Sequence, residues 1–306
     1  MPIKVPDSLP ARSVLENENI FVMGEDRAFH QDIRPLQIAI LNLMPLKEQT
    51  EIHLLRLLSN SPLQLDVTLM RIASHDAKNT SMTHLETFYK TFEELRHRNL
   101  DGLIVTGAPI EHLPFQDVSY WHEFSTILHW SRQHVTSTLH ICWAAQAGLY
   151  LDYGIEKVPL EEKLFGIFQH RVLKETPLVR GFDELFYAPH SRYTTTLQPD
   201  VAAIADLDIL ADSDEAGIYL LASKDGRRVY VTGHSEYERL TLQQELQRDL
   251  DRGMKVKLPR HYFPEDDTQQ TPPYVWRAHA NLLFTNWLNY CVYQETPYDL
   301  NPQVEA

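Results

Sequence analysis

Cysteine is scarce in this chain. Its 306 residues hold only Cys142 and Cys291, too few for a disulfide framework, which excludes the small stapled scaffolds of secreted proteins and fits a reducing compartment. Long hydrophobic runs are missing as well. The most apolar stretches, around residues 37 to 46 and 136 to 151, are too short or too polar to span a bilayer, and MPIKVPDSLPARS has neither the apolar core nor the cleavage pattern of a signal peptide. A cytoplasmic location and no membrane partner are the expectation. Blocks of positive charge are absent: Lys and Arg number 28 against 42 Asp and Glu, a formal charge of −14. Without a basic run or an aromatic-interleaved Lys/Arg stripe, nucleic acid is not an expected partner, and small-molecule substrates fit better. Neither G-x-G-x-x-G nor a Walker A sequence occurs, so a nicotinamide dinucleotide or nucleoside triphosphate has no support. The histidines number 15, yet H-E-x-x-H, C-x-x-C and similar spacings are missing and His53, His75, His112 and His170 stand singly, so no metal site is expected.

What is present is a globular pattern that agrees with an enzyme without requiring one. At 43% hydrophobic residues the chain can bury a large core. No repeat, low-complexity tract or linker divides it, so one domain is expected over residues 1–306, with a core of about 35–292, an N-terminal arm (1–34) and a C-terminal tail (293–306). Apolar runs alternate with helical periodicity in the first half, the mark of βαβ units and a mostly parallel sheet flanked by helices. LQIAILNL reads as a buried strand followed by a helix with Ile52, Leu55 and Leu58 on one face. LQLDVTLMRI precedes a helix carrying Leu85, Phe88, Phe92 and Leu95. A third strand, from about Asp101, ends in the small, rigid turn Gly107-Ala108-Pro109. An amphipathic helix with Trp121, Phe124, Leu128 and Trp130 leads to the strand that ends at Cys142. Residues 165 to 232 are strand-rich, with a Lys224-Asp225-Gly226 hairpin turn. A polar helix after His234 and a last helix, roughly Tyr274 to Val292, complete the pattern. In such sheets ligands collect beyond the carboxyl ends of the strands. Met44 to Lys47, Gly107 to Glu111, Cys142 and His234 all fall at such ends.

Cys142 opens the helix WAAQAGLYL, where the partial positive charge of the helix N-terminus favours a thiolate and the backbone N–H of Trp143 is available to an oxyanion. About ninety residues on, RRVYVTG ends at His234-Ser235-Glu236. In an extended stretch residues i and i+2 share a face, so Glu236 can fix the imidazole of His234, and the three residues make a Cys-His-Glu nucleophilic triad. Lys47, Lys163, Arg192 and Arg248 are candidates to hold a substrate carboxylate or phosphate, each equally readable as surface charge. Cys291, inside the terminal helix, reads as packing. These residues alone leave two classes open: a Cys-dependent acyltransferase or amidotransferase, and a thiol hydrolase or redox-sensing binding protein on the same flavodoxin-like scaffold.

The chain closely resembles the homoserine O-acyltransferases, a group related to class I glutamine amidotransferases. The resemblance is carried by MPIKVPDSLPA, NIFVM, IRPLQIAILNLMP, LLRLLSNSPLQ, DGLIVTGAP, ICWAAQA, APHSRY, VTGH, the E-Y after it, and LLFTNWLNYCVYQETPYDL, which together span nearly its whole length. It implies a class I glutamine amidotransferase-like α/β fold with N- and C-terminal additions, and a ping-pong acyl transfer in methionine biosynthesis. Cys142 would carry the acyl group as a thioester, His234 would act as general base and acid, and Glu236 would orient it. It places Lys163, Ser191 and Arg248 at substrate-binding positions, Lys47 at the oxyanion or acyl pocket, and Glu111 at the position that separates acetyl-CoA from succinyl-CoA. Glycine there is associated with the succinyl donor and glutamate with the acetyl donor, since a glutamate fills space and repels a second carboxylate. The expected substrates are therefore acetyl-CoA and L-homoserine, with no bound cofactor and a homodimeric assembly. One departure concerns the acceptor: where related sequences often carry proline between the histidine and glutamate, this chain has Ser235. L-serine, one methylene shorter, is the alternative acceptor, as a methylene discriminates by only about 1–3 kcal/mol. Succinyl-CoA as donor and a catalytically idle thiol-bearing binding protein are the remaining alternatives.

Overall fold

The computed structural model describes residues 3–6, 8–18, 22–23, 34–75 and 79–297. A sheet of twelve strands runs through it. In chain order the elements are β1 (Ile3–Lys4), α1 (Pro10–Asn17), β2 (Val22–Met23), β3 (Leu36–Leu41), α2 (Lys47–Leu58), β4 (Leu65–Met70), α3 (Met82–Phe88), β5 (Tyr89–Lys90), α4 (Phe92–Leu95) and β6 (Leu100–Val105). They continue with α5 (Trp121–His134), β7 (Val135–Ile141), α6 (Trp143–Tyr153), β8 (Val158–Val172), β9 (Leu185–Thr195), α7 (Gln198–Ala202), β10 (Leu207–Ser213), β11 (Gly217–Ser223), β12 (Arg228–Val231), α8 (Thr241–Asp251) and α9 (Arg277–Asn286). A π-helical turn, Trp287–Tyr293, extends α9.

The strand order is β2-β1-β4-β3-β6-β7-β12-β11-β10-β8-β9, with β5 beside β4. Pairing is parallel from β2 to β12 and antiparallel from β12 to β9. The central strands read as apolar runs because both faces are covered: all six residues of β6 are buried, as parallel sheets require. One core lies against α2 and the terminal helix, through Leu54, Leu58, Ile104, Leu139, Leu283 and Trp287. The other lies against α5 and the start of α6, through Val105, Phe124, Ile127 and Trp143. The aromatic C-terminal segment thus packs into the core: Trp287, Leu288 and Val292 are fully buried.

Two expectations change. The helix read across Leu85 to Leu95 is broken, because Tyr89–Lys90 turns into a short strand paired with Leu69–Met70. Tyr89 is drawn inward by a hydrogen bond from its hydroxyl to Glu51 at 2.6 Å, and Thr91 and Glu94 restart the helix with a reciprocal capping box. The segment read as an N-terminal arm supplies β1, which pairs with β4, and its Val5, Leu9, Ala11 and Leu15 are buried in the first core. Residues 298–306 of the expected tail lie outside the described residues.

Candidate active site

Strands β3, β6, β7 and β12 are consecutive neighbours, so the four segments singled out at their carboxyl ends meet in one place. Between β7 and α6, Cys142 takes φ 52° and ψ −114°, a left-side conformation that costs a side-chain-bearing residue of order 1–3 kcal/mol and is the mark of a nucleophile elbow. The turn is held from two sides. Cys142 N–H donates to the Val231 carbonyl at 2.7 Å, extending the β7–β12 ladder to Cys142 itself, while Ala145 and Gln146 N–H donate to the Cys142 carbonyl at 3.0 and 3.2 Å. The N–H groups of Trp143 and Ala144 have no such carbonyl at this helix end. The Trp143 ring anchors α6 from below, 5.1 Å from Phe124. Glycine permits the close approach of this helix to the sheet: a Cβ on Gly148 would sit 3.0 Å from both His140 and Tyr230.

His234 leaves β12 and is fixed through its backbone N–H to the Pro189 carbonyl at 2.8 Å. Its Nδ1 lies 2.7 Å from Glu236 Oε1, and the ring lies within electrostatic reach of Cys142, both flanking Gly107. All three side chains are buried, at 3%, 2% and 6% exposure for Cys142, His234 and Glu236. Extended alternation is not what joins His234 to Glu236. Residues 235 and 236 form a turn, closed by Tyr237 N–H to the His234 carbonyl at 3.1 Å, and that turn folds the carboxylate back under the ring. Burial opposes charge on His234, but the adjacent Cys142 and Glu236 charges and the hydrogen bond to Glu236 raise its pKa well above the ordinary value. The charged form of the imidazole is thereby favoured. Ser235 is buried and hydrogen-bonds Tyr219. Gly107 lies across the thiol: a Cβ there would stand 3.2 Å from Cys142 Cβ and 3.4 Å from His234 Cε1.

Glu111, at the end of the same turn, is 9% exposed. Burial raises its carboxyl above the usual range, while the charges of His234 and His112 pull the other way, which places it within electrostatic reach of His234. Lys157, which the sequence did not single out, donates through Nζ to the Glu111 carbonyl and, at 2.6 Å, to the Leu113 carbonyl. It clamps the turn by its main chain.

The other side of the triad is polar. Tyr237 stacks on His234 with ring centroids 4.2 Å apart, and its hydroxyl donates to Glu245 Oε1 at 2.6 Å. Ser191 Oγ donates to Glu245 Oε2 at 2.5 Å, Lys163 Nζ lies 2.9 Å from Asp249 and 3.6 Å from Glu245, and Arg248 lies 2.8 Å from Asp249. The three expected substrate-binding residues are thus one cluster, joined by Glu245 and Asp249 of α8. Those carboxylates were missed, although E-x-x-R-D in LQRDL and its preceding residues puts all three charges on one helical stretch. Arg192 is not available to a substrate. It is 1% exposed and donates to the Thr194 and Ala216 carbonyls at 2.7 and 2.6 Å. Burial lowers its pKa to about 10, against the opposing charges of Cys142 and Glu111. Lys47 lies on the β3 side of this meeting place. Its Nζ donates to the Asn42 carbonyl and reaches the Met44 carbonyl at 3.5 Å, burial lowers its pKa to about 8, and none of these partners belongs to the triad. His170, read as isolated, pairs with His190 at 3.0 Å, and Cys291 is buried, its thiol pushed up to about 12 by burial. Among the described residues no group of three His, Cys, Asp or Glu side chains is placed to hold a metal ion, and no helix is long and apolar enough to cross a membrane.

Solved structures share the fold. A glutamine amidotransferase from Thermotoga maritima superposes with a TM-score of 0.58 at 9% identity, covering 85% of this chain and 100% of that one. A glutamine amido transferase from Methylobacillus flagellatus gives 0.52 at 10% identity, covering 84% and 95%. Curated relatives are far closer in sequence. The homoserine O-acetyltransferase of Brevibacillus brevis is 59% identical over 98% of this chain and 99% of its own, and that of Geobacillus kaustophilus is 58% identical over 98% and 99%. The family model described as homoserine O-succinyltransferase matches residues 2–298. A match of that length, with a thiol elbow, a histidine and a carboxylate assembled at the strand ends of the expected fold, establishes that the chain belongs to the homoserine O-succinyltransferase family.

Proposed function

We propose that this chain transfers an acetyl group from acetyl-CoA to the hydroxyl of L-homoserine by way of a thioester on Cys142, as a cytoplasmic enzyme of methionine biosynthesis. The Cys142 sulfur attacks the thioester carbonyl carbon, and the developing oxyanion is met by the N–H of Trp143. The carbon–sulfur bond to CoA breaks, and the departing thiolate takes a proton from His234. His234, neutral after this step, removes the hydroxyl proton of homoserine as its oxygen attacks the acetyl carbon. Cys142 then leaves as thiolate, again beside an imidazolium oriented by Glu236. The acceptor side carries both signs of charge, as a zwitterionic amino acid needs: Arg248 and Lys163 for its carboxylate, Glu245 for its ammonium.

The observation that carries the chemistry is the buried contact of Cys142 with a histidine held at 2.7 Å by Glu236. What favours acetyl over the succinyl group in the family's description is Glu111, a buried carboxylate near that histidine. The relatives bearing the acetyltransferase name agree with this reading. The test is intact-protein mass after mixing with each donor, followed by L-homoserine or L-serine. An acetyl increment that is absent in Cys142→Ala, and is discharged by homoserine faster than by serine, is expected. An increment that persists in Cys142→Ala would overturn the thioester, and equal loading by succinyl-CoA would overturn the donor assignment.

A further inference from the structure

A second opening lies on the far side of the Gly107 turn from the Lys163, Ser191 and Arg248 cluster. It is a cavity of about 440 Å³ at the carboxyl ends of β3, β4 and β6, with apolar walls that include Leu43, Ile72, Ile110, Val118 and Tyr120. Its polar groups are cationic or neutral. Lys47, Arg71 and His75 line it, and no carboxylate does among the described residues, in a chain where 42 acidic side chains outnumber 28 basic ones. Arg71 Nε is buried there without a hydrogen-bond partner. The wall beyond Ile72 is held in place by Glu123, which accepts the backbone N–H groups of Ala73 and Ser74 at 2.8 Å each. The cavity also adjoins the chemistry. Ala108, Pro109 and Ile110 line it, and the preceding residue, Gly107, abuts Cys142 and His234.

We propose that this cavity receives the pantetheine arm of the acyl-CoA donor and, at its Arg71 side, the phosphate end of that arm. The proposal rests on the donor reading above. Its volume suits a ligand site, which is typically about 300–1,000 Å³, but not the whole of CoA, so the nucleotide lies outside. An arm that is apolar with two amides and ends in phosphate matches walls that are apolar and a margin that carries the half-buried guanidinium of Arg71. The turn Gly107-Ala108-Pro109 stands between the cavity and Cys142, so the thioester end of the arm passes over that turn to the thiol. The acceptor cluster, beyond β12, stays clear.

The test compares donors that differ in how much of CoA they carry: acetyl-CoA, S-acetylpantetheine, which lacks the phosphates, and S-acetyl-N-acetylcysteamine, which lacks most of the arm. Asn79→Trp fills the exposed margin of the cavity, and Arg71→Gln removes the guanidinium. Asn79→Trp should lower the ratio of kcat/KM for acetyl-CoA over S-acetyl-N-acetylcysteamine by about tenfold or more. Arg71→Gln should lower the ratio for acetyl-CoA over S-acetylpantetheine by about tenfold, as loss of one charge-assisted hydrogen bond does. Ratios within about two-fold of wild type in both variants overturn the cavity's assignment while leaving acetylation of Cys142 intact. Should Asn79→Trp fail to fold, Arg71→Gln decides alone. Wild-type protein acetylated by none of the three donors fails the donor reading instead, a distinguishable result.

Discussion

Glu111→Gly should convert the donor preference. In the wild type, a succinyl group bound as a thioester would bring its distal carboxylate to the turn that holds Glu111, a side chain only 9% exposed. Two carboxylates about 5 Å apart at an effective dielectric of about 20 repel by roughly 3 kcal/mol, about two orders of magnitude in kcat/KM. The volume of the glutamate adds to this. Glycine removes both obstacles, and the turn keeps its place because Lys157 grips the carbonyls of Glu111 and Leu113, not the side chain. The backbone freedom introduced costs about 0.5–1 kcal/mol, small against the electrostatic effect. Glu111→Gln keeps the volume and removes the charge, so its preference should fall between wild type and Glu111→Gly.

The charge has a pH signature. Burial raises the Glu111 carboxyl above its usual range, so on acidification this group takes up its proton before an exposed carboxylate does. As pH falls through that raised value the repulsion lapses, and the relative kcat/KM of wild type for succinyl-CoA should climb. Above it, the carboxylate is ionised and discrimination is fullest. Glu111→Gly and Glu111→Gln have no such group and should show a flat ratio over the same window. The assay is CoA release with each donor at saturating L-homoserine across the acid-to-neutral range. A ratio unchanged by Glu111→Gly would refute the assignment, and a pH-dependent ratio in Glu111→Gln would refute the electrostatic part alone.

Glu236→Gln removes the charge that helps hold the His234 pKa up, so the imidazolium should deprotonate at lower pH, seen as a downfield-to-upfield NMR titration moved to lower pH, with kcat falling by about 10²–10⁴; an unmoved titration would show that Glu236 does not support the ring. Gly107→Ala puts a methyl 3.2 Å from Cys142 Cβ, and overpacking of about 1–3 kcal/mol should slow both iodoacetamide alkylation and acetylation of Cys142 with the circular dichroism spectrum unchanged. Alkylation at the wild-type rate would mean the turn does not press on the thiol. Lys157→Met frees the 111–113 carbonyls and should lower both Tm and donor selectivity by the equivalent of about 1–3 kcal/mol. A loss of Tm with selectivity intact would make Lys157 purely structural.

The parts of this site that the sequence disclosed are those governed by short-range rules. Period-two and continuous apolar runs located β3, β6, β7 and β12, and a thiol before WAAQAGLYL marked a helix start, so Cys142 and His234 could be placed at strand ends without coordinates. What escaped depends on partners far along the chain. Tyr89 breaks a good helical pattern because Glu51 lies opposite it. Arg192 read equally as a substrate-holding cation or a surface charge, but it is taken inward by Ala216 and Thr194. Lys157 acts only through main-chain carbonyls, which no side-chain pattern encodes. The pairing of His234 with Glu236 was expected from extended alternation, but a reverse turn makes it, so the right pair followed from the wrong local geometry.

The order of the strands bears on how one thiol would serve two substrates in the proposed transfer. β7, which delivers Cys142, lies between β6 and β12. Everything lining the apolar cavity comes from the segments after β3, β4 and β6, and the charged cluster comes from β8, β9 and α8 beyond β12. A double displacement through Cys142, as proposed above, needs the acyl–CoA bond to break before the acceptor attacks the same carbon. If both substrates approached through one channel, CoA would block the acceptor and the acyl-enzyme would wait on product release. With the thiol between two differently furnished sides, the acceptor hydroxyl can reach the thioester while the donor side is still occupied. Homoserine should then discharge the acetyl-enzyme at a rate little affected by desulfo-CoA, which has no thiol to reverse the acetylation, at concentrations that fully suppress the first half-reaction. Strong competitive slowing of that discharge by desulfo-CoA would mean that the two substrates share one path to Cys142.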